Sequence, residues 1–512
     1  MNFGESQSAG ENGGGNVVTI IECYRADWAR SVCRVFEGAG VAVLVAMLAV
    51  GASATSVAGE RGSTDSGLPT GVSAVGSSLL PAGTELGDEI FDRPREVSRS
   101  ETRGGHRSQL VVLGEMAFNS PAILGGPARH AGISCNTCHI NGTTNPRLYI
   151  PGLSTLPGTF DTTGALFNPH TDNGVLDPLT TPSLRGAHLL APYGHDGRVL
   201  SLRDFVRNVI TNEFAGPEPS QKLLDAVVLY IEDIDFLPNR RLTANGKLAP
   251  PFSDSERRGQ ELFRRPFAHD PSLSCAVCHP PHGLFVDHEQ HDVGSGGAFK
   301  TPTLINANFN GPYFHDGRYT DYARVVAHFD REFYLGLSVQ DRRDLVAYLL
   351  AIGDADQATE HDAVETRLRE ISDFAAVLHA AIADRDAELA VLAVDTIDRE
   401  LRDLTEIFPA PRSTSVTGGV EARSRARALL KNLVLSFRRI GVASERARFE
   451  EAAAQLADFR GSIALTTAAL TAAEPWSLFN RDIRDTQFAA ARALNRASID
   501  PSSARARRPD ID

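Results

Sequence analysis

The stretches SCNTCH (Ser134–His139) and SCAVCH (Ser274–His279) share one pattern, Cys-x-x-Cys-His. Cysteines three apart on a helical turn point the same way, so both thiols of a stretch can reach one edge of a flat macrocycle. The adjacent histidine can then turn toward the centre of that ring. This spacing is the attachment pattern of c-type haem. Cys135, Cys138, Cys275 and Cys278 are read as thioether donors, with His139 and His279 as the axial ligands of two irons. Two Cys-x-x-Cys pairs can also clamp one zinc, but zinc ribbons separate them by about 15 to 20 residues and roughly 140 intervene here. A thioredoxin-like dithiol needs a βαβ setting, which the flanking sequence lacks.

Outward from these stretches the chain repeats itself. LGEMAFNSP (Leu113–Pro121) precedes the first, and TPSLRG (Thr181–Gly186) and PYGHDGR (Pro192–Arg198) follow it. RGQELFRRP (Arg258–Pro266), TPTLIN (Thr301–Asn306) and PYFHDGR (Pro312–Arg318) stand around the second in the same order. Four blocks in one order mark two homologous modules, 105–238 and 239–355. Beyond them, in 356–512, apolar residues recur at three-to-four spacing over Ala363–Ile407, Gly419–Ile440 and Ala443–Leu470, which predicts amphipathic helices packed as a bundle. No run of alternating β-branched residues predicts a large sheet.

Ahead of the modules, Arg30 and Arg34 precede the apolar run Gly38–Ala54, and small residues follow it. Residues 1–58 therefore read as a secretory signal or an N-terminal membrane anchor, which places the chain in the periplasm. Cys23 and Cys33 lie ahead of the run, so four of the six cysteines would remain after cleavage, in an oxidising compartment. Residues 59–104, rich in Gly, Ser, Thr and Arg, read as a flexible linker. The formal net charge of -13 argues against bulk nucleic-acid binding. With 42% apolar residues, the 512-residue chain is no collagen, multi-pass membrane protein or fully disordered chain.

From about Gln109 to Gly353 the sequence resembles the bacterial diheme cytochrome c peroxidases and the related maturation enzymes of the methylamine-utilisation type. The resemblance rests on the L-G-x-x-x-F helix before each CxxCH, the TP-[ST]-L block and the PYxHDGR block. It implies a mainly α chain: two tandem cytochrome c-like haem domains, here followed by the C-terminal helical bundle. One haem would be the electron-entry site and the other would reduce peroxide, with calcium near the domain interface. His195 and His315 match a histidine that lies near haem propionates in that family. Arg185 matches a propionate-binding arginine, a position held by Ile305 in the second module. Glu213 resembles a glutamate kept near the peroxidatic pocket, where a carboxylate can move a proton.

Departures from the family pattern matter too. Its distal Met or Tyr falls on Phe329, which cannot ligate iron, so the neighbouring His328 becomes the candidate distal ligand. Met116 has core-like spacing, and Met1 and Met47 precede the modules, so no methionine is left for iron. Trp28 and Trp476 lie outside both modules, so any aromatic bridge between haems must be Tyr or Phe. The expected activity is an exported diheme oxidoreductase that reduces hydrogen peroxide, or oxidises a protein partner, with electrons from a small redox protein. The alternatives are an electron carrier with two six-coordinate haems, or a redox-sensing assembly. The tail is expected to dock a partner or a second copy, or to cap a haem.

Overall fold

The computed structural model describes residues 80–487 except 82, 88–91, 411–415 and 417. The expected export segment, with Cys23, Cys33 and Trp28, the start of the expected linker and the Arg-rich end 504–510 lie outside the described residues. Among the described residues the fold is mainly α, and strands form only two-stranded ladders.

The first module begins with β1 (Asp92–Pro94) and α1 (Arg99–Thr102). In α2 (Gln109–Asn119), capped by the Ser108 side chain, the apolar run buries Val111, Leu113, Met116 and Phe118. Then come α3 (Gly126–Ala131), α4 (Cys135–Cys138), β2 (Thr159–Phe160), β3 (Leu179–Thr180) and α5 (Leu202–Asn208). One π-helical turn, Val209–Glu213, extends α5 before α6 (Gln221–Asp233). The second module repeats the plan with α7 (Asp254–Arg264), α8 (Cys275–Cys278), β4 (Gln290–Asp292), β5 (Ala298–Lys300), α9 (Tyr322–Glu332) and α10 (Val339–Ile352).

The repeat extends to side-chain geometry. Phe118 and Tyr230 meet edge-on with ring centroids 5.1 Å apart, and Phe263 and Tyr348 do so at 5.2 Å. At each helix crossing the glycine of the L-G or R-G block lets two backbones touch. A methyl on Gly114 would lie 2.0 Å from the Ala226 carbonyl oxygen, and one on Gly259 2.0 Å from that of Asp344.

After β6 (Thr359–His361) the tail forms α11 (Val364–Ala383), α12 (Ala387–Ile407), α13 (Val420–Glu445) and α14 (Phe449–Ala473). The expected segment Ala363–Ile407 is broken at Arg385, whose positive φ of 55° ends α11. The four helices pack in a ring, and α11 and α12 also lie on α2. One continuous apolar core joins the first module to this bundle, whereas the second module has a separate core. The bundle is therefore built into the first module and is not an independent appendage.

The expected linker also differs from the structure over 92–104. β1 pairs antiparallel with β6, and Ser98 and Ser100 donate hydroxyl hydrogen bonds of 2.6 and 2.5 Å to Asp233. The reason is that a buried carboxylate must be satisfied, and this segment supplies its donors.

The second module carries a buried charge of its own. Asp344, 1% exposed, accepts from Arg258 (2.7 and 3.0 Å), Ser255 (2.5 Å) and Gln340 (2.9 Å). The Arg258 guanidinium, helped by Ser255 and Gln340, holds its carboxyl well below the ordinary range. A depressed folded-state pKa adds stability that is fully present above the unfolded value and lost as pH falls. Asp344→Asn is therefore expected to lower Tm at neutral pH, and the gap from the parent should narrow as pH drops below about 4. Thermal melts across pH check this, and a gap independent of pH would count against it.

Candidate functional site

Each Cys-x-x-Cys-His forms one short helix ending on its histidine, with backbone angles that nearly coincide: φ -118°, ψ 66° at His139 and φ -116°, ψ 68° at His279. The Nδ1–H of His139 donates to the Pro182 carbonyl (2.9 Å), and that of His279 to the Phe285 carbonyl (2.8 Å). A carbonyl can only accept, so the proton sits on Nδ1 and the lone pair on Nε2 is presented outward. Metal-binding histidines are oriented in this way. Burial pulls His139 down to about 4 and lowers His279, which in both favours the neutral ring. Cys135, Cys138, Cys275 and Cys278 form no disulfide with one another.

Arg185 tests whether the first site fits a haem. It is 2% exposed, and its Nη2 donates to the Arg95 carbonyl (2.8 Å). Its Nε and other terminal nitrogen are buried with no hydrogen-bond partner. Orphaned guanidinium donors beside a Cys-x-x-Cys-His suit a propionate carboxylate, which a guanidinium can grip as a fork. The residues present therefore fit the group.

The TP and HDG blocks of the two modules meet along a reciprocal seam. Thr180 N–H donates to the His315 carbonyl (2.7 Å), and Lys300 N–H to the His195 carbonyl (2.8 Å). Lys300 Nζ also reaches the Leu190 and Pro192 carbonyls (2.6 and 2.7 Å). The His195 ring donates to the Thr180 carbonyl (2.7 Å), while His315 stacks on Phe299 with centroids 3.7 Å apart. Both HDG histidines thus line the junction between modules.

The two modules differ on one face. Aligned from the HDGR blocks, Gly194, Val199, Asn208, Val209 and Glu213 correspond to Phe314, Tyr319, His328, Phe329 and Phe333. In the second module these rings form one cluster, with Phe314 against Tyr319 (5.1 Å), His328 (4.8 Å) and Phe329 (5.9 Å). Phe314 keeps φ at 70°, a left-handed conformation that its glycine counterpart adopts freely and that costs about 1–3 kcal/mol elsewhere.

His328 does not meet the expectation of a distal ligand. Its Nε2–H donates to the Val293 carbonyl (2.7 Å) and its Nδ1 is bonded to the Tyr319 hydroxyl (3.0 Å). Both nitrogens are engaged, so the ring has no lone pair left for iron.

In the first module the π-turn replaces the matching end of α9 and re-aims Glu213. Inserted turns of this kind recur at functional sites. Glu213 lies 3.4 Å from the Arg198 guanidinium, and its charge adds to burial and to Cys135 in raising the Cys138 thiol. Burial pushes the Glu213 carboxyl up, while Arg198 and a hydrogen bond to Thr162 oppose it.

Elsewhere, Asp287 accepts from His291 (2.7 Å), and together with Cys278 their ligand atoms lie within 4.8 Å of one another. Cys278 already belongs to the second Cys-x-x-Cys-His, so this group is part of that site. His288 is tied to the Ala191 carbonyl (2.7 Å). The seam and the π-turn carry no local sequence signal.

Taken together, the described residues form a mainly helical protein with two matched Cys-x-x-Cys-His sites whose residues fit a haem. Residues 255–403 match the family model described as di-haem cytochrome c peroxidase, covering most of the second module, α11 and most of α12. Hydrazine synthase subunit gamma of Kuenenia stuttgartiensis is 24% identical over 307 residues, 48% of this chain and 78% of that protein. Methylamine utilization protein MauG of Methylorubrum extorquens is 25% identical over 318 residues, 51% of this chain and 82% of that protein. A solved structure of Kuenenia stuttgartiensis hydrazine synthase pressurized with xenon is 21% identical, covering 61% of this chain and 100% of that one with a TM-score of 0.36. Residues 255–403 are thus similar to the di-haem cytochrome c peroxidases, and about half of the chain is similar, at low identity, to MauG and to hydrazine synthase subunit gamma.

Proposed function

We propose that the chain is an exported diheme c-type oxidoreductase whose two modules are tandem cytochrome c-like haem domains. The first module reduces hydrogen peroxide, or oxidises a protein partner, with electrons received through the second. The observation that carries this reading is the asymmetry between matched sites: identical histidine anchors, but an acid–base pair facing one and packed aromatics facing the other. Cys135, Cys138, Cys275 and Cys278 would hold the two haems covalently, with His139 and His279 as axial ligands and Arg185 on a propionate. Bound haem supplies a redox-active iron able to take up peroxide.

The protein's own residues supply protons and shape. Glu213 holds a proton on its carboxyl and delivers it to the departing oxygen of peroxide, while Arg198 steadies the carboxylate left behind. Two electrons from a small redox protein and two protons convert one hydrogen peroxide to two waters. The apolar run 38–54 with its basic flank supports export to the periplasm, by signal or anchor. Calcium near the module interface, and docking through the bundle, belong to the same proposal.

The test is the holoprotein from a strain able to attach haem c. Two haems per chain are expected, with peroxide-dependent oxidation of a reduced donor. Cys135→Ala/Cys138→Ala should leave one haem and abolish turnover. Two low-spin haems throughout the redox cycle with no turnover would favour the electron-carrier alternative and overturn this one.

A further inference from the structure

Between the first module and the bundle lies a cluster of buried charge that peroxide chemistry does not use. Glu115 interrupts the apolar run of α2, and its carboxylate meets Arg107 at 3.1 Å. Arg107 also reaches Glu96 at 3.3 Å and covers the Tyr230 ring, while the Tyr230 hydroxyl donates to Glu96 at 2.6 Å. Asp233 of α6 lies 4.0 Å from Arg107. From the bundle, α11 presents Glu370, Arg367 and Asp373. Glu370 is bonded to Arg93 (3.1 Å), and Arg367 is shared among Asp362, Glu370 and Glu400. On α12, Arg399 and Asp403 lie beside Glu400, and Arg399 donates to the Gly132 carbonyl (2.7 Å), just ahead of the first Cys-x-x-Cys-His.

This cluster stands one aromatic layer from the first site. Tyr230 packs on Phe118, whose ring is 6.4 Å from His139. Arg185, the candidate propionate partner, feels the charge of Glu96. We propose that Glu115, together with Glu96, is a buried proton-binding site that takes up a proton from solvent when the first haem site takes up an electron from its donor. Arg369 of α11 also faces Glu370 and Asp373, and Glu360 of β6 faces Glu96 and Glu370. Around Arg107 three carboxylates, Glu96, Glu115 and Asp233, share one guanidinium, and a proton is the ligand that relieves the excess. Burial pushes Glu115 up to about 8 and raises Glu96, so the pair holds a proton near neutral pH. A negative charge added nearby strengthens that hold, and by reciprocity the bound proton strengthens the hold on the electron.

The inference rests on the haem reading above, and its test separates the two. Redox titrations of the two-haem holoprotein, followed optically from about pH 6 to pH 9, give a midpoint for each site. Cys135→Ala/Cys138→Ala identifies which midpoint belongs to the first. That midpoint is expected to fall with rising pH, toward a tenfold loss of electron affinity per pH unit, or about 59 mV. Glu115→Gln, and independently Glu96→Gln, should flatten the slope. The second site, in its separate core, should not respond to either change. A haem-loaded Glu115→Gln or Glu96→Gln protein with the parent slope overturns this proposal alone. A chain that attaches no haem overturns both.

Discussion

Glu213→Gln is expected to cut peroxide-dependent turnover by about 10²- to 10⁴-fold, the range for removing a positioned acid or base. Both haems should remain attached. The amide keeps the shape of the side chain and its hydrogen bond to Thr162 but cannot give up a proton. Because burial raises the carboxyl, Glu213 keeps its proton to higher pH than a solvated glutamate does. Activity that depends on this proton is present on the acid side and lost as pH rises through the Glu213 pKa. That alkaline limb should disappear in the variant. Steady-state rates against pH check both points, and parent-like turnover would remove Glu213 from the chemistry. Arg198→Lys tests the partner: a point charge replaces a planar donor at the 3.4 Å contact, so the limb should shift without vanishing.

The second large effect falls on the helix crossings. Gly114→Ala and Gly259→Ala are each expected to destabilise by about 3 kcal/mol, at the upper end for overpacking. The new methyl would meet backbone, which cannot rotate aside, and also the Cβ of Tyr230 or Tyr348 at 2.8 or 2.7 Å. The two substitutions should act on different parts of the molecule. Gly259 belongs to a core of its own, so its replacement should loosen the second module alone. Gly114 sits in the core that continues through the bundle, so its replacement should weaken the first module and all four tail helices together. Amide hydrogen exchange distinguishes these patterns. Uniform loss of protection in both variants would contradict the two-core arrangement.

Much of this was legible because it is local. Cys-x-x-Cys-His places two thiols and a ring on one turn, and four blocks repeated in order predict two modules that match in the aromatic pairs beside His139 and His279. The helical tail followed from apolar spacing alone. Other features could not be read in this way. His328 was adjacent to the right position, but whether its nitrogens were free depended on Val293 and Tyr319, which the fold brings to it.

The sequence by itself determined the two Cys-x-x-Cys-His segments and the helical class, since each depends on residues within one turn or one amphipathic period. Only the tertiary structure decided that the HDG blocks line a shared seam, that Glu213 faces the first site, and that the bundle shares the first module's core. The seam and bundle contacts join residues separated by more than a hundred positions, such as Thr180 with His315 and Arg399 with Gly132, and Glu213 reaches Cys138 across 75. Burial of charge and apolar surface selects them, and neither has a period that a linear pattern can show.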